Sequence, residues 1–385
     1  MRVHHSKLSQ KIGILGGGQL GKMLCQAGSI LGLDISILEK DTTFPAASVC
    51  TSFVCGDITD YDDVVQFGMK MDVITIEIEN VNTDALEALE QMGKKVYPPS
   101  AALKIIKDKG KQKIFYEGSE IPSSDFTLYK SREEILSDVV KGTLNIPFVQ
   151  KSRTEGYDGK GVQVVRSSDD LDFLIEGATL VEDMVEIESE IAVIVARNPS
   201  GDMKAFPVVE MQFHPVANLV EFLFCPSSLS NIKQLEAEKL ALEITEKLDI
   251  VGLLAVEMFV SKDGAILINE VAPRPHNSGH HTIEACSTSQ YEMHLRAILD
   301  LPLGSTELII PAVMINLLGE PDYQGKVVYQ NIENCLSIDG VYPHLYGKKE
   351  TKPYRKMGHV TIVDKNLDIA IEKARIVQKT LKVIS

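Results

Sequence analysis

The chain of 385 residues lacks a basic surplus, long apolar runs and paired cysteines, and each absence excludes a class of protein. Lys and Arg number 39 against 54 Asp and Glu, a net charge of −15, so no broad basic surface is expected to bind a nucleic-acid backbone. No run of 18 apolar residues occurs and the first ten residues are polar, so we expect neither membrane insertion nor secretion. The six scattered cysteines form no C-x-x-C pair, which indicates reduced thiols in a cytoplasmic protein.

The pattern of strands and helices divides the chain into three units, as its length also suggests. Strands alternate with helices at 1–106, which predicts a Rossmann-like α/β domain with a parallel sheet. Longer, hairpin-like strands with one strong helix predict an α+β domain at 107–311, and short strands before a last helix predict a small β-rich module at 312–385. The elements expected are strands at 11–15, 34–39, 72–79, 340–346 and 358–364 and helices at 19–31, 84–92, 101–118, 231–248 and 367–381.

The segment E-M-F-V-S-K-D-G-A-I-L-I-N-E at 257–270 predicts a β-hairpin that holds two carboxylates side by side. Asp263 and Gly264 suit a two-residue type I′ turn, and counting outward from such a turn sets Glu257 opposite Glu270. Their Cβ atoms would lie roughly 4.5–5.5 Å apart, so their charges would repel each other unless a divalent cation lies between them. Hard carboxylate oxygens favour Mg²⁺, with phosphates completing its shell. A solvated strand face with two unrelated glutamates is the alternative interpretation.

Two glycine-rich loops are candidates for anion binding. The first, G-G-G-Q-L-G at 16–21, follows a strand and opens a helix, so its N–H groups could bind an anion. Glu39 stands near where a dinucleotide enzyme places its ribose-binding acid, but a lone G-x-G-x-x-G favours the fold more than it favours NAD. The second loop, at 154–161, predicts a flap whose glycines let the backbone approach phosphate, with Lys151 at its base. A plain surface hairpin is the alternative.

Two further segments carry polar groups beside apolar strands. The strand at 180–185 runs into acidic residues and is followed by Glu190, an arrangement that could pair adenine through the backbone and bind ribose through a carboxylate. The loop A-P-R-P-H-N-S-G-H-H at 272–281 follows the hairpin directly and offers a guanidinium with imidazole and amide donors. Its three histidines suggest zinc as an alternative, but no cysteine joins them and carboxylates dominate the neighbourhood.

Six motifs occur in order along the chain: G-G-G-Q-L-G-K-M, I-E-I-E-N, K-S-R-T-E-G-Y-D-G-K-G, V-E-M-F, I-N-E-V-A-P-R-P-H-N-S-G-H-H-T and R-K-M-G-H. Together they closely resemble the N(5)-carboxyaminoimidazole ribonucleotide synthetase family of purine biosynthesis. The likeness runs from Lys11 to the last helix, and its N-E-x-A-P-R-x-H-N-S-G-H loop is highly specific. It implies a Rossmann-like first domain, a central ATP-grasp domain that clasps ATP between two sheets, and a small third domain. Members of this family generally form dimers.

The resemblance implies carboxylation of 5-aminoimidazole ribonucleotide on its exocyclic amine by ATP and bicarbonate, through carboxyphosphate, with Mg²⁺ on Glu257 and Glu270. Lysines and the flap would hold the phosphates, 182–185 the adenine and Glu190 the ribose. The matched ATP positions are Lys109, Lys151, Gly156, Tyr157, Asp158, Gly159, Lys160, Gly161, Glu182, Asp183, Met184, Val185, Glu190, Asn269 and Glu270. The matched substrate positions are Gln19, Leu20, Glu77, Glu79, Tyr157, Arg274, His276, Ser278, and, for the 5′-phosphate, Lys349, Arg355 and Lys356. The catalytic candidates are Arg274, which would grip carboxyphosphate, with Tyr157 and Lys151.

Some positions depart from the family pattern, and other functions compete with the one it implies. Lys22 and Lys109 stand where the family usually has arginine, and Glu155 replaces a frequent glycine. Fungal relatives carry a mutase domain after the ligase portion, so with the chain ending at Ser385 the mutase step is expected in a separate protein. A sister ATP-grasp enzyme, such as a formate-dependent transformylase or biotin carboxylase, would differ in the loop after Glu270. A NAD-dependent dehydrogenase or a nucleotide sensor would leave the glutamate pair without a role.

Overall fold

The first unit is built on a five-stranded parallel sheet, as the alternation of strands and helices predicts. The structure is a computed structural model that describes residues 6–154, 161–214 and 219–385. The elements of this unit are β1 (Lys11–Leu15), α1 (Gln19–Ile30), β2 (Asp34–Glu39), β3 (Ser52–Cys55), α2 (Tyr61–Gly68), β4 (Val73–Ile76), α3 (Thr83–Gln91), β5 (Lys95–Val96) and α4 (Ser100–Ile106). The strand order is β3-β2-β1-β4-β5, so a crevice opens between the carboxyl ends of β1 and β4.

Apolar layers cover both faces of this sheet, which is why its central strands are almost continuously apolar. Ile14 and Ile37 pack with Leu24 of α1 on one face. Leu15 and Ile76 pack with residues of α2 and α3 on the other face. The predicted strand at 72–79 is wrong beyond Ile76, because the chain leaves the sheet there and its next acidic side chain turns towards the glycine loop.

The second unit begins with a helix and a four-stranded antiparallel sheet, in the order β6-β9-β7-β8. These elements are α5 (Lys109–Gly118), β6 (Phe126–Tyr129), α6 (Arg132–Lys141), β7 (Phe148–Ser152), β8 (Val162–Val165) and β9 (Thr179–Asp183). The single helix predicted at 101–118 is wrong, because the chain forms α4 and α5 instead. The break occurs at Asp108, whose side chain accepts hydrogen bonds from the N–H groups of Gly110 and Lys111 and so caps α5.

A nine-stranded antiparallel sheet joins the second and third units. The remaining elements of the second unit are β10 (Ile187–Arg197), β11 (Met203–Ala205), β12 (Val209–Phe213), β13 (Val220–Cys225), α7 (Asn231–Lys247), β14 (Gly252–Ser261), β15 (Ile266–Ala272), α8 (Thr282–Ala285) and α9 (Gln290–Ile298). Those of the third unit are β16 (Ala312–Leu318), β17 (Gly325–Lys326), β18 (Val328–Gln330), α10 (Ile332–Leu336), β19 (Val341–Leu345), β20 (Glu350–Thr351), β21 (Lys356–Val363), α11 (Leu367–Thr380) and β22 (Lys382–Ile384).

The order of this sheet is β15-β14-β10-β12-β13-β16-β21-β19, with β11 paired to β10. Three strands of the β-rich third unit therefore extend the sheet of the second unit. The boundaries expected at 106/107 and 311/312 stay a prediction, but the main-chain hydrogen bonds between β13 and β16 cross the second of them. No helix within the described ranges is long and apolar enough to cross a membrane.

The predicted hairpin forms between β14 and β15, but its turn is not the two-residue turn expected. Ser261 pairs with Ala265 through a 2.9 Å hydrogen bond, which leaves a three-residue loop in which only Gly264 has a positive φ, of 88°. A β-bulge then leaves Asn269 without a partner residue in the ladder and shifts the register back by one. The pairing of Glu257 with Glu270 is therefore confirmed, because the bulge compensates for the longer turn.

We expect Gly264→Ala to lower the free energy of unfolding by about 1–2 kcal/mol, because a Cβ disfavours the left-handed conformation. The space around Gly264 is open, with the nearest side-chain atom 3.9 Å away, so the backbone alone should carry the cost. Chemical denaturation measures the change. Gly118→Ala is the matched control, since Gly118 has open space and no positive φ. Equal stability of the two variants would contradict the three-residue turn.

Candidate functional site

Three lysines gather in the cleft between the small sheet and the β14–β15 hairpin. Lys109 Nζ lies 2.7 Å from Glu270 Oε2. Lys151 Nζ lies 2.5 Å from Glu182 Oε2 and donates to Asn269 Oδ1 at 3.0 Å. The bulge thus directs two successive side chains into the same cleft: Asn269 contacts Lys151, and Glu270 contacts Lys109. This arrangement brings together five residues that the sequence assigned to ATP.

The third lysine, Lys113, was missed by the sequence analysis. Its Nζ lies 2.9 Å from Glu182 Oε1, and its side chain is only 2% exposed. Burial disfavours the charge of Glu182, but Lys151 and Lys113 outweigh burial and lower its pKa to about 2. Two lysines on one carboxylate leave a positive charge in the cleft, which suits phosphate oxygens. The available signal was spacing, since Lys113 follows Lys109 by one helical turn on α5.

In the segment predicted to bind adenine, 182–185, the first residue, Glu182, contacts lysines and neighbouring strands. The side chain of Glu182 is held by the two lysines, and its backbone pairs with β6 on one side and β7 on the other. Asp183 N donates to Asp125 O at 3.0 Å, and Met184 and Val185 lie beyond the end of β9. A role for residues 182–185 in adenine binding stays a prediction.

The carboxylates of the cleft differ in their preference for a proton. Burial, with the nearby charges of Glu270 and Glu190, raises the pKa of Glu257. Lys109 lowers the pKa of Glu270. Burial raises the pKa of Glu190 to about 7. One member of the hairpin pair is therefore balanced by a lysine and the other favours its neutral form, which relieves their mutual repulsion when no cation is bound.

The donor set of the hairpin fits a magnesium ion that shares its shell with other ligands. Glu257 and Glu270 supply hard oxygens on one side of the cleft, and the side chain of Glu270 is 46% exposed. Within residues 6–154, 161–214 and 219–385, no group of three or more His, Cys, Asp or Glu side chains is arranged to hold a metal ion. The chain would thus provide two carboxylates and leave the other positions to phosphate or water.

The loop after β15 brings Arg274, His276 and Ser278 against this pair. His276 Nε2 lies 3.6 Å from Glu257 Oε1, and His276 Nδ1 lies 3.0 Å from Ser278 Oγ. Arg274 Nε lies 2.9 Å from Glu79 Oε1, at the carboxyl end of β4. The loop therefore connects the acidic pair of the hairpin with the crevice of the first unit.

The first glycine loop binds a carboxylate of the protein itself. Glu77 accepts hydrogen bonds from the N–H groups of Gly18, Leu20 and Gly21 at 2.7, 3.0 and 2.9 Å. A Cβ on Gly18 would lie 2.5 Å from Glu77 Oε1, so the glycine admits the carboxylate. Glu39 likewise accepts from Gly17 N at 3.1 Å. The anion expected at this loop is internal, which argues against a dinucleotide there; substrate contacts of Gln19, Leu20 and Glu77 stay a prediction.

The basic residues assigned to the 5′-phosphate occupy different settings in the third unit. Lys356 begins β21 and acts on the pKa of Glu257, where it opposes the larger effects of burial and Glu270. Arg355 donates from Nη1 to the carbonyl oxygen of Glu350 at 2.8 Å, and Lys349 is exposed. The flap residues Gly156, Tyr157, Asp158, Gly159 and Lys160 lie outside the described residues. Gly161, with φ 74°, accepts a hydrogen bond from Ser152 N.

Stacked histidines behind the loop were not predicted. His359 stacks on His344 with ring centroids 4.5 Å apart and on His280 with centroids 4.3 Å apart. Tyr291 Oη lies 2.9 Å from His280 Nδ1. Burial lowers the pKa of His280 and His359 well below its usual value, so both rings pack in the neutral form. The zinc alternative would need three rings on one ion, but His276 and His280 bond to different partners.

Comparison with known proteins accounts for all three units. Residues 9–107 match the ribonucleotide synthetase preATP-grasp domain, 114–291 the ATP-grasp domain and 312–373 the phosphoribosylaminoimidazole carboxylase C-terminal domain. The N5-carboxyaminoimidazole ribonucleotide synthase of Synechococcus elongatus is 37% identical over 359 residues, which cover 92% of this chain and 89% of that protein. The chain spans 64% of the length of the chloroplastic phosphoribosylaminoimidazole carboxylase of Vigna aconitifolia, to which it is 36% identical over 92% of its own length.

Solved structures agree over the whole architecture. The N5-carboxyaminoimidazole ribonucleotide synthetase of Thermotoga maritima is 43% identical with a TM-score of 0.90, covering 98% of this chain and 99% of that one. The synthase of Aspergillus clavatus, solved with ADP and 5-aminoimidazole ribonucleotide, is 32% identical with a TM-score of 0.88. The match covers 97% of this chain and 99% of that one.

The raised pKa of Glu190 predicts a pH dependence of stability. Between its ordinary value of 4.5 and about 7, the folded protein keeps a proton that the unfolded chain has lost, so the free energy of unfolding falls as pH rises. Relative to wild type, Glu190→Gln should gain on the order of 2–3 kcal/mol between pH 5 and pH 8. Denaturant unfolding at each pH measures the difference. The exposed Glu188 provides the control variant Glu188→Gln, and parallel curves for Glu190→Gln and wild type would contradict the prediction.

Proposed function

The chain belongs to the N5-carboxyaminoimidazole ribonucleotide synthase family, and on that premise we propose that it carboxylates 5-aminoimidazole ribonucleotide with ATP and bicarbonate. One contact carries the proposal: His276 Nε2 lies 3.6 Å from Glu257 Oε1. On one side of it lie the lysines and carboxylates suited to ATP phosphates. On the other lies a loop with the guanidinium and hydroxyl groups suited to an acceptor. A phosphoryl donor and an acceptor nucleotide can therefore meet at one point.

The ATP half of the reaction relies on charge and position. Phosphoryl transfer needs little covalent help from protein, so the lysines should act by neutralising and orienting the phosphates. Lys109 and Lys151 now pair with carboxylates, and phosphate oxygens would replace those partners in part. Glu257 and Glu270 would hold Mg²⁺, which supplies charge neutralisation for the transferred group. Lys113 keeps Glu182 in place beside Lys151.

The acceptor half relies on the loop at 272–281. Transfer of the γ-phosphoryl group from ATP to a bicarbonate oxygen gives carboxyphosphate and releases ADP. The exocyclic amine then bonds to its carbon, phosphate leaves, and the nitrogen loses one proton. Arg274 would hold the carboxyphosphate oxygens, and the ion pair with Glu79 at 2.9 Å fixes its guanidinium towards the first unit. His276 and Ser278, bonded to each other, would orient the nucleotide.

Several finer expectations belong to this proposal. Mg²⁺ as cofactor, a homodimer, a cytoplasmic location and a separate mutase for the product all stay predictions. A sister ATP-grasp enzyme remains the nearest alternative, and the specific loop after Glu270 favours the carboxylation. A NAD-dependent enzyme is disfavoured because Glu77 already accepts three hydrogen bonds from the first glycine loop.

Phosphate release from ATP tests the function directly. We expect release to require both 5-aminoimidazole ribonucleotide and bicarbonate. Parallel reactions would replace bicarbonate by formate and the acceptor by other ribonucleotides or biotin. Release that depends on formate or biotin, or that ignores bicarbonate, would move the protein to a sister activity.

Glu270→Gln should reduce turnover more than tenfold, a loss of about 1.4 kcal/mol or more of transition-state stabilisation, because the cation loses one ligand charge. The fold should stay cooperative, since an amide oxygen at this position can still accept a hydrogen bond from Lys109. Glu186→Gln is the matched control, because Glu186 forms an exposed pair with Lys262 at the turn end of the hairpin. Turnover above about a tenth of wild type would remove Glu270 from the cation site.

Arg355→Ala should raise the half-saturation concentration of the acceptor nucleotide about tenfold or more and leave ATP nearly unaffected. Loss of a charge-assisted phosphate contact costs on the order of 1.5–3 kcal/mol. Steady-state kinetics with each substrate varied in turn measures the two effects. Lys352→Ala, an exposed position of the same loop, is the control. An equal effect on ATP and acceptor would mean that the substrate phosphate lies elsewhere.

A further inference from the structure

Asn277 lies between two substrate-side residues of the loop, yet its side chain bonds to the third unit. Its Nδ2 donates to Asn316 Oδ1 at 2.8 Å, and Asn316 Nδ2 donates to Asn277 Oδ1 at 2.9 Å. Asn316 Nδ2 also donates to the carbonyl oxygen of Val220 at 2.7 Å. Both hydrogens of the Asn316 amide and its oxygen are thus engaged. The two carboxamides form a closed pair between residues 39 positions apart.

A second carboxamide also holds this loop, one residue earlier in the chain. Gln290 Oε1 accepts from His276 N at 2.8 Å, and Gln290 Nε2 donates to His276 O at 2.8 Å. Gln290 is fully buried at the start of α9. The loop is therefore fastened at His276 to the second unit and at Asn277 to the third, one residue apart. Two fastenings so close together fix the direction of the side chains on either side of them.

The strand that carries Asn316 also leads to the basic residues of the third unit. In β16, Asn316 stands opposite His359 of β21, and Leu318 stands opposite Lys356 at the start of that strand. The proposed phosphate-binding end and the proposed reacting end of the acceptor would thus share one rigid strand pair. A displacement of the loop relative to β16 would change the distance that the acceptor nucleotide must span.

We propose that Asn316 is a positioning residue for the acceptor nucleotide, acting through Asn277 on His276 and Ser278. The inference rests on the proposed function and adds a residue to the same site. Misplacement by about 1 Å can cost on the order of a hundredfold in rate, so loss of the pair should affect the acceptor step. The lysines of the ATP half pair with carboxylates of the hairpin and β9, whereas the amide of Asn316 bonds to Asn277 and Val220.

The test compares Asn316→Ala with wild type in acceptor-dependent phosphate release and in ADP binding by calorimetry. We expect kcat/KM for 5-aminoimidazole ribonucleotide to fall at least about tenfold and ADP affinity to stay within about twofold. Asn198→Ala is the matched control, since Asn198 is a buried carboxamide that bonds to Asp202 in the turn between β10 and β11. Asn277→Ala and the double variant should each match Asn316→Ala in kcat/KM, because all three break the Asn277–Asn316 pair.

Asn316→Asp gives a readout that a merely structural role would not move. The introduced carboxylate can accept a hydrogen bond from Asn277 Nδ2 but cannot donate one. It therefore faces Asn277 Oδ1 and the carbonyl oxygen of Val220 with no hydrogen between the oxygens. Protonation restores one donor, so the ratio of variant to wild-type kcat/KM should rise as pH falls from 8 to 6.

Three outcomes separate the claims. Wild-type protein without acceptor-dependent release would overturn the proposed function, and this inference falls with it. Active wild type with an unaffected Asn316→Ala, or with additive losses in the double variant, would overturn the inference alone. Equal losses in ADP binding and acceptor kinetics would show a general structural role and also overturn it.

Discussion

The cleft depends on one constraint, the placing of two glutamates opposite each other on a hairpin. Like charges in that position destabilise a sheet, so each needs compensation. Glu270 receives it from Lys109, at the start of a helix whose first turn is fixed by the Asp108 cap. Glu257 receives it from a raised pKa and from its nearness to His276. The neighbouring elements are thus arranged to balance the negative charge of the two glutamates, a role that a phosphate-bound cation can also fill.

The three units behave as one site because the loop after the hairpin touches all of them. Arg274 reaches Glu79 of the first unit, Gln290 fastens His276 within the second, and Asn316 fastens Asn277 to the third. Main-chain pairing of β13 with β16 makes the second and third units parts of one sheet. Lys22 adds a direct bond between the first and third units, because its Nζ donates to Leu345 O at 2.9 Å. Movement of any one unit would therefore displace side chains of this loop.

Local sequence patterns predicted the architecture. The features that they did not predict depend on contacts between distant segments. Strand and helix periodicity placed β1, β2, α1 and α7 within a residue or two. The Glu257–Glu270 pairing was right although its turn was wrong, because no local signal marks the bulge at Asn269. Lys113 was visible only as a spacing, and the partners of Glu77 and Asn316 lie 56 and 39 positions away in sequence. Such partners follow from packing, which a single sequence does not display.

The bond between Glu77 and the first glycine loop has a consequence for how ligands compete. Because Glu77 belongs to the same chain, its carboxylate has a fixed effective concentration at the N–H groups of the loop. A free ligand could displace it only by making many contacts elsewhere. Evolution of a dinucleotide site here would require removal of that resident anion first. In this Rossmann-like unit one side chain therefore occupies the N–H groups that a dinucleotide phosphate would need.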